Sequence, residues 1–151
     1  LVANGHSESK TFQTALFFDE NYVGLALIFK SMSDNTKSTD LGFLNSMTGG
    51  NKEKMAKYIN MFLQHAPVLV NQLENNVQAQ EWAALKTTAH TLKSQFSYMG
   101  AAEAQAISLA VEKNAGEKTN LEEIPKQVEK IRTIFNKACD ELKEEVNRLT
   151  V

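Results

Sequence analysis

The last quarter of the chain constrains the fold most. Val128, Ile131, Phe135, Ala138, Leu142, Val146 and Leu149 recur at steps of three and four. At about 3.6 residues per turn, all seven fall on one stripe of a single long helix. Asn120-Leu-Glu-Glu123 ahead of it has the form of a capping box, with Asn in place of Ser or Thr. Pro125 sits near the start of the helix, where proline is tolerated. Such a stripe has to be covered, and helices joined by short links cover one another's stripes in a bundle.

The rest of the chain from Asp40 repeats this logic. Asp40 is placed to cap a short helix with Leu41, Leu44 and Met47 on one side, ended by Thr48-Gly49-Gly50. Asn51 is a candidate N-cap for a helix whose apolar face is Met55, Tyr58, Ile59, Phe62 and Leu63. Ala66-Pro67 predicts a kink or a fresh start, after which Val70, Leu73 and Val77 continue the stripe. A third long helix spans about Glu81 to Met99, stopped by Gly100, with Trp82 as a packing anchor. A fourth spans about Ala102 to Lys113, and NAGEKTN at 114–120 reads as a loop. The expected fold is all-α: an up-down four-helix bundle with a short extra N-terminal helix. One bundle can satisfy the long final seam by itself, so a monomer is expected.

Residues 1–39 break the pattern and read as an extension or linker, with the bundle domain at 40–151. Their apolar middle has no clean period and fits either the end of a preceding module or a further helix packed on the bundle. Met32 would make a natural start codon, and the chain, lacking Met at position 1, reads as a fragment.

Composition narrows the function classes. With 42% hydrophobic residues and a formal charge of −2, the chain has a real core and no electrostatic case for nucleic acid. The longest apolar run, YVGLALIF at 22–29, is far short of the ~18 residues a membrane span needs. Cys139 stands alone, beside the seam residue Ala138, as a partly buried small residue. A single cysteine forms no internal disulfide, which suits a reducing, cytoplasmic setting. Glu141, Glu144 and Glu145 read as a solvated face.

One histidine stands out within AHTLKSQFSYMGA at 89–101. With Leu85 at zero, Ala89, Leu92, Phe96 and Met99 all fall within about 40° of it, while His90 falls at about 140°. His90 is therefore outside the core stripe. Its neighbours on that outer face are Lys86, Lys93, Ser94 and Ser97, with no carboxylate among them. The lysines favour an anion and disfavour a further positive charge on the ring. A neutral imidazole keeps a free ring nitrogen and can act as a nucleophile. An exposed nucleophile and a solvated helix face with an incidental histidine both fit these residues. Metal binding has no support: His6 and His65 are remote, and no second ligand lies three or four residues away.

Ala89, His90, Leu92, Lys93, Gly100 and Ala101, preceded by EWAALKTT, resemble the signature of histidine-containing phosphotransfer (HPt) domains. The upstream segment LGFLNSMTGGNKEKMAKYINMFLQHAPVLVNQLENN is similar to the first part of such domains. The resemblance covers roughly 40–113 and extends loosely to the last helix. It implies a phosphorelay carrier. His90 would accept a phosphoryl group from a receiver-domain aspartate and pass it to another receiver, with Lys93 pairing phosphoryl oxygens, Lys86 helping, and Ser94 and Ser97 donating hydrogen bonds. The implied partners are response-regulator receivers or a hybrid sensor kinase, and the receiver would bring the Mg²⁺. No cofactor of its own is implied, and TGGNK at 48–52 lacks the spacing of a P-loop, so ATP is not expected as donor. The family usually has Gly where this chain has Ser94, a small departure that bears on partner approach. The resemblance also implies an apolar docking patch beside His90, with residues of 51–65 that miss the core, Phe96 and Tyr98 as candidates. Core packing is the simpler reading for Tyr58, Phe62, Phe96 and Met99 individually. The alternative function is a regulatory module that binds receivers without carrying phosphate.

Overall fold

The computed structural model describes residues 36–151, of which Lys37–Val151 form a compact unit. The apolar run at 22–29 and Met32 lie outside the described residues. Among the described residues there are five α-helices: α1 (Gly42–Met47), α2 (Lys52–Gln78), α3 (Trp82–Tyr98), α4 (Ala102–Glu117) and α5 (Ile124–Thr150). A 3₁₀ turn, Leu121–Glu123, leads into α5. Each long helix packs on its neighbours in sequence, and α5 closes back on α2. The result is the expected four-helix bundle with a short leading helix.

The core lies where the stripes converge. Leu85, Ala89, Leu92, Phe96 and Met99 of α3 are all buried, as are Val128, Ile131, Phe135, Ala138 and Leu142 of α5. Phe62 joins three helices: its ring lies 6.1 Å from that of Phe96 and 6.0 Å from that of Phe135. Burying each such side chain contributes roughly 2–3 kcal/mol. Val146 and Leu149 are half-buried against this core, so the seam reaches the last turn of α5.

The helix ends follow the chain's own punctuation, with three exceptions. Asn51 caps α2 by accepting from the Lys54 N–H at 2.9 Å, worth about 1 kcal/mol. Gly49, Gly50 and Gly100 take positive φ at the two expected stops. Asp40 caps differently from the expectation, its Oδ1 accepting from the Gly42 N–H at 2.9 Å just ahead of α1. Asn120 forms no capping box: it adopts a left-handed conformation and its side chain caps nothing. The 3₁₀ turn occupies the position a cap would need. The 114–120 loop is shorter than expected, because α4 continues to Glu117. Asn114 and Ala115 are buried in that extra turn, and Asn114 keeps polar partners in Gln127 and Asn120, each at 3.5 Å.

Three further expectations are corrected by packing. α2 runs unbroken through Pro67, so there is no fresh start. Met47 and Tyr58 are exposed rather than in the core, since α1 buries only Leu44 and α2 buries Ala56 and Ile59 on either side of Tyr58. Glu141 is not a free surface charge. Its carboxylate accepts the backbone N–H groups of Ser38 and Thr39 and the Thr39 hydroxyl, at 2.7, 3.0 and 2.8 Å. Glu145 pairs with Arg148 at 2.6 Å. Across the bundle, Arg132 of α5 forks onto both oxygens of Glu74 on α2 at 2.7 Å each.

Candidate functional site

His90 occupies the middle of α3, on the side opposite the stripe that anchors the helix. Its side chain is 62% exposed. The α3–α4 pair is an antiparallel hairpin that turns at Gly100-Ala101. Gly100 at φ +62° allows the Gly100 and Ala101 N–H groups to close on the carbonyls of Ser97 and Phe96 at 3.1 and 2.9 Å, a Schellman-type stop. The buried face of α4 is built from small residues, Ala104, Ser108 and Ala115 among them. Small side chains let two helices approach closely.

This hairpin supplies the carboxylate missing from the outer face of α3. Glu112 of α4 lies across from His90, 22 residues on, and the two are symmetric about Ala101. Glu112 Oε1 is 2.7 Å from His90 Nδ1, and Glu112 Oε2 is 2.7 Å from Lys93 Nζ. Both carboxylate oxygens are thus engaged. The hydrogen bond from Lys93 is the largest influence holding the Glu112 carboxyl below its ordinary value of 4.5, with that from His90 adding to it and partial burial opposing both. Glu112 is therefore ionised at neutral pH and can only accept. Nδ1 of His90 must then carry the proton, which leaves the lone pair of a neutral ring on Nε2.

The other residues singled out in the sequence fall on either side of this cluster. Lys86 is exposed and lies along Gly116, its Nζ 3.5 Å from where a Cβ on that glycine would stand. It spans to the C-terminal turn of α4, where a cation suits the helix dipole, and sits one turn from His90. The Ser94 hydroxyl donates back to the His90 carbonyl at 3.4 Å, so toward the imidazole Ser94 presents little more than its Cβ. Ser97 is half-buried one turn further on. Reading α3 alone could not reveal Glu112. The available signal was the Gly100-Ala101 turn, which fixes the hairpin register.

The opposite flank of α3 faces α2. Tyr58, Met61, Phe62, His65, Gln95, Tyr98 and Met99 line a groove of about 290 Å³ between the two helices. Tyr58, Met61 and Tyr98 are all substantially exposed, and Phe43 of α1 packs its exposed ring 6.0 Å from that of Tyr98. Phe96 belongs to the core and takes no part in this surface. Among the described residues, no group of three or more His, Cys, Asp or Glu side chains is arranged to hold a metal ion. No helix among them is long and apolar enough to cross a membrane.

The family model described as the Hpt domain matches residues 57–150. The crystal structure of histidine-containing phosphotransfer protein B (HptB) from Pseudomonas aeruginosa PAO1 superposes with a TM-score of 0.68 at 23% identity, covering 74% of this chain and 96% of that one. That likeness is one of fold. Among curated proteins, none matches.

Proposed function

This chain belongs to the Hpt domain family, whose members are histidine phosphotransfer carriers in phosphorelays, and on that premise we propose that His90 is the residue that carries the phosphoryl group. The observation that carries the assignment is the 2.7 Å contact between His90 Nδ1 and Glu112 on an exposed ring. It selects one tautomer and leaves Nε2 free to attack.

The step follows from the geometry. A receiver domain brings an aspartyl phosphate to Nε2. The Nε2–P bond forms as the P–O bond to the aspartate breaks, and the aspartate leaves as a carboxylate. Positive charge develops on the imidazole as its lone pair is used. Glu112, accepting the Nδ1 proton, stabilises that charge without moving. Lys93 fixes the carboxylate and, having three N–H donors of which Glu112 uses one, has others to offer a phosphoryl oxygen. Mg²⁺ belongs to the receiver and supplies charge neutralisation at the phosphoryl group. Ser94 in place of the family's glycine is compatible with close approach, because its hydroxyl is turned onto the helix backbone. Lys86 adds positive potential one turn away. The exposed surface of Phe43, Tyr58, Met61 and Tyr98 is the receiver's docking face. The protein works as a monomer in the cytoplasm, its stripes being covered within one bundle.

The test is transfer from a phosphorylated receiver in the presence of Mg²⁺. The expected product is an acid-labile, base-stable label that His90→Gln abolishes. Undiminished labelling of the His90→Gln variant overturns the assignment.

A further inference from the structure

The carboxylate that orients His90 also bears on how a phosphoryl group leaves it. Glu112 Oε1 lies 2.7 Å from His90 Nδ1, the ring nitrogen that is not phosphorylated. A phosphoryl group on Nε2 therefore leaves that contact in place. The Glu112 side chain is only 17% exposed, so water competes little for its oxygens.

Release runs the loading step backwards. The Nε2–P bond breaks and its electron pair returns to Nε2. The phosphoryl group passes to a carboxylate oxygen of a receiver, or to water, which gives inorganic phosphate and a proton to solvent. With a proton on Nδ1, the ring departs as neutral imidazole. Without that proton it would have to depart as imidazolate, a far stronger base and a far poorer leaving group. The Nδ1 proton thus decides how long the phosphoryl group stays.

The charged groups around the ring pull in opposite directions. Lys86 and Lys93 of α3 lie one turn to either side of His90 and oppose a positive ring. Glu112 of α4 favours it through a charge-assisted hydrogen bond at contact distance, whereas the lysines act from a turn away. Lys93 donates to the other oxygen, Oε2, at 2.7 Å, which leaves Oε1 to the ring. Among the described residues, no ion pair joins the ring to any other element. Once the phosphoryl group is on Nε2, its own negative charge acts in the same direction as Glu112.

We propose that Glu112 is a positioning residue for release as well as for loading: by holding the proton on Nδ1 of phosphorylated His90 at and above neutral pH, it keeps the phosphoryl group labile and makes the chain a transient carrier rather than a store. This rests on the carrier reading above. Lability then belongs to the fold. Unfolding parts α3 from α4, takes Glu112 away from the ring, and leaves the same label resistant to base.

The experiment loads His90 without a receiver. Phosphoramidate, a small phosphoryl donor to imidazoles, is applied to the full chain carrying His6→Gln and His65→Gln, in which His90 is the remaining histidine. Phosphorus NMR identifies the Nε2 adduct. Loss of the label to water is then timed at pH 7, 8 and 9, in the folded chain and in urea. In the folded chain the rate should change by less than about twofold over this range. In urea, and in the folded chain with Glu112→Gln added, it should fall toward about 10-fold per pH unit, the slope of a step that needs one proton. An equally steep fall in the folded and unfolded chains overturns the proposal. So does a flat profile in Glu112→Gln with its helical circular dichroism intact. The comparison of folded with unfolded chain stands by itself if that variant does not fold. Receivers and Mg²⁺ added to the loaded chain test the carrier reading separately. Failure of every receiver to take the label overturns that reading, while the loss to water still decides the role of Glu112.

Discussion

Under the proposed assignment of His90, Glu112 is the residue that sets the tautomer and orientation of its ring. Removing it in Glu112→Ala frees the imidazole to exchange tautomers and to rotate. Transfer should slow roughly 10-fold, since only part of the population then presents Nε2 as an oriented base. Nitrogen NMR of the ring reads this directly: a single Nδ1-protonated form in the wild type, a mixture in the variant. The same carboxylate has a pH signature. Its value is depressed in the folded state, chiefly by Lys93. Its stabilising effect is therefore complete above the ordinary value near 4.5 and lost as pH falls through the folded value. Glu112→Gln should be less stable than the wild type at pH 7 and indistinguishable from it near pH 2, as judged by urea unfolding at both. A gap of equal size at the two pH values would contradict the linkage.

At the scale of elements, the hairpin turn is the most exacting position. A Cβ on Gly100 would overlap the carbonyl of Asp40, whose N–H donates to the Gly100 oxygen at 3.2 Å. Gly100→Ala meets both that obstacle and an unfavourable positive φ, and should cost roughly 3 kcal/mol. A thermal melt measures it, and a loss under about 0.5 kcal/mol would show that the turn can relax. The elements were also where the sequence was most and least legible. The stripes of α3 and α5 were readable because helical periodicity is a local property, and so was the outward direction of His90. Met47 and Tyr58 were not, because an apolar residue at the margin of a stripe is placed by its neighbours in space. Asn120 carried a capping pattern, but pattern does not report the backbone conformation that the 3₁₀ turn imposes. Glu112 was hidden for a similar reason: its partner lies on another helix, and only the hairpin brings them level.

For the whole molecule, Cys139 serves as a reporter. It lies in the α5 seam, and burial pushes its thiol up to about 11. It is therefore protonated as well as covered at pH 8, and alkylation should track global unfolding rather than local chemistry. Labelling with iodoacetamide across a urea series should coincide with the loss of helical circular dichroism. Labelling well before that transition would mean that α5 opens independently of the bundle.

The equidistance of His90 and Glu112 from Ala101 makes the hairpin a ruler, and rulers tolerate different changes from cores. Exchanging a side chain between these two residues leaves the graduations in place. Adding or deleting one residue within either arm shifts everything beyond it by about 1.5 Å and turns it by about 100°, carrying one partner away from the other. The 21 intervening positions are thus fixed in number, whereas Lys118 and Thr119, beyond the end of α4, lie outside the measured span.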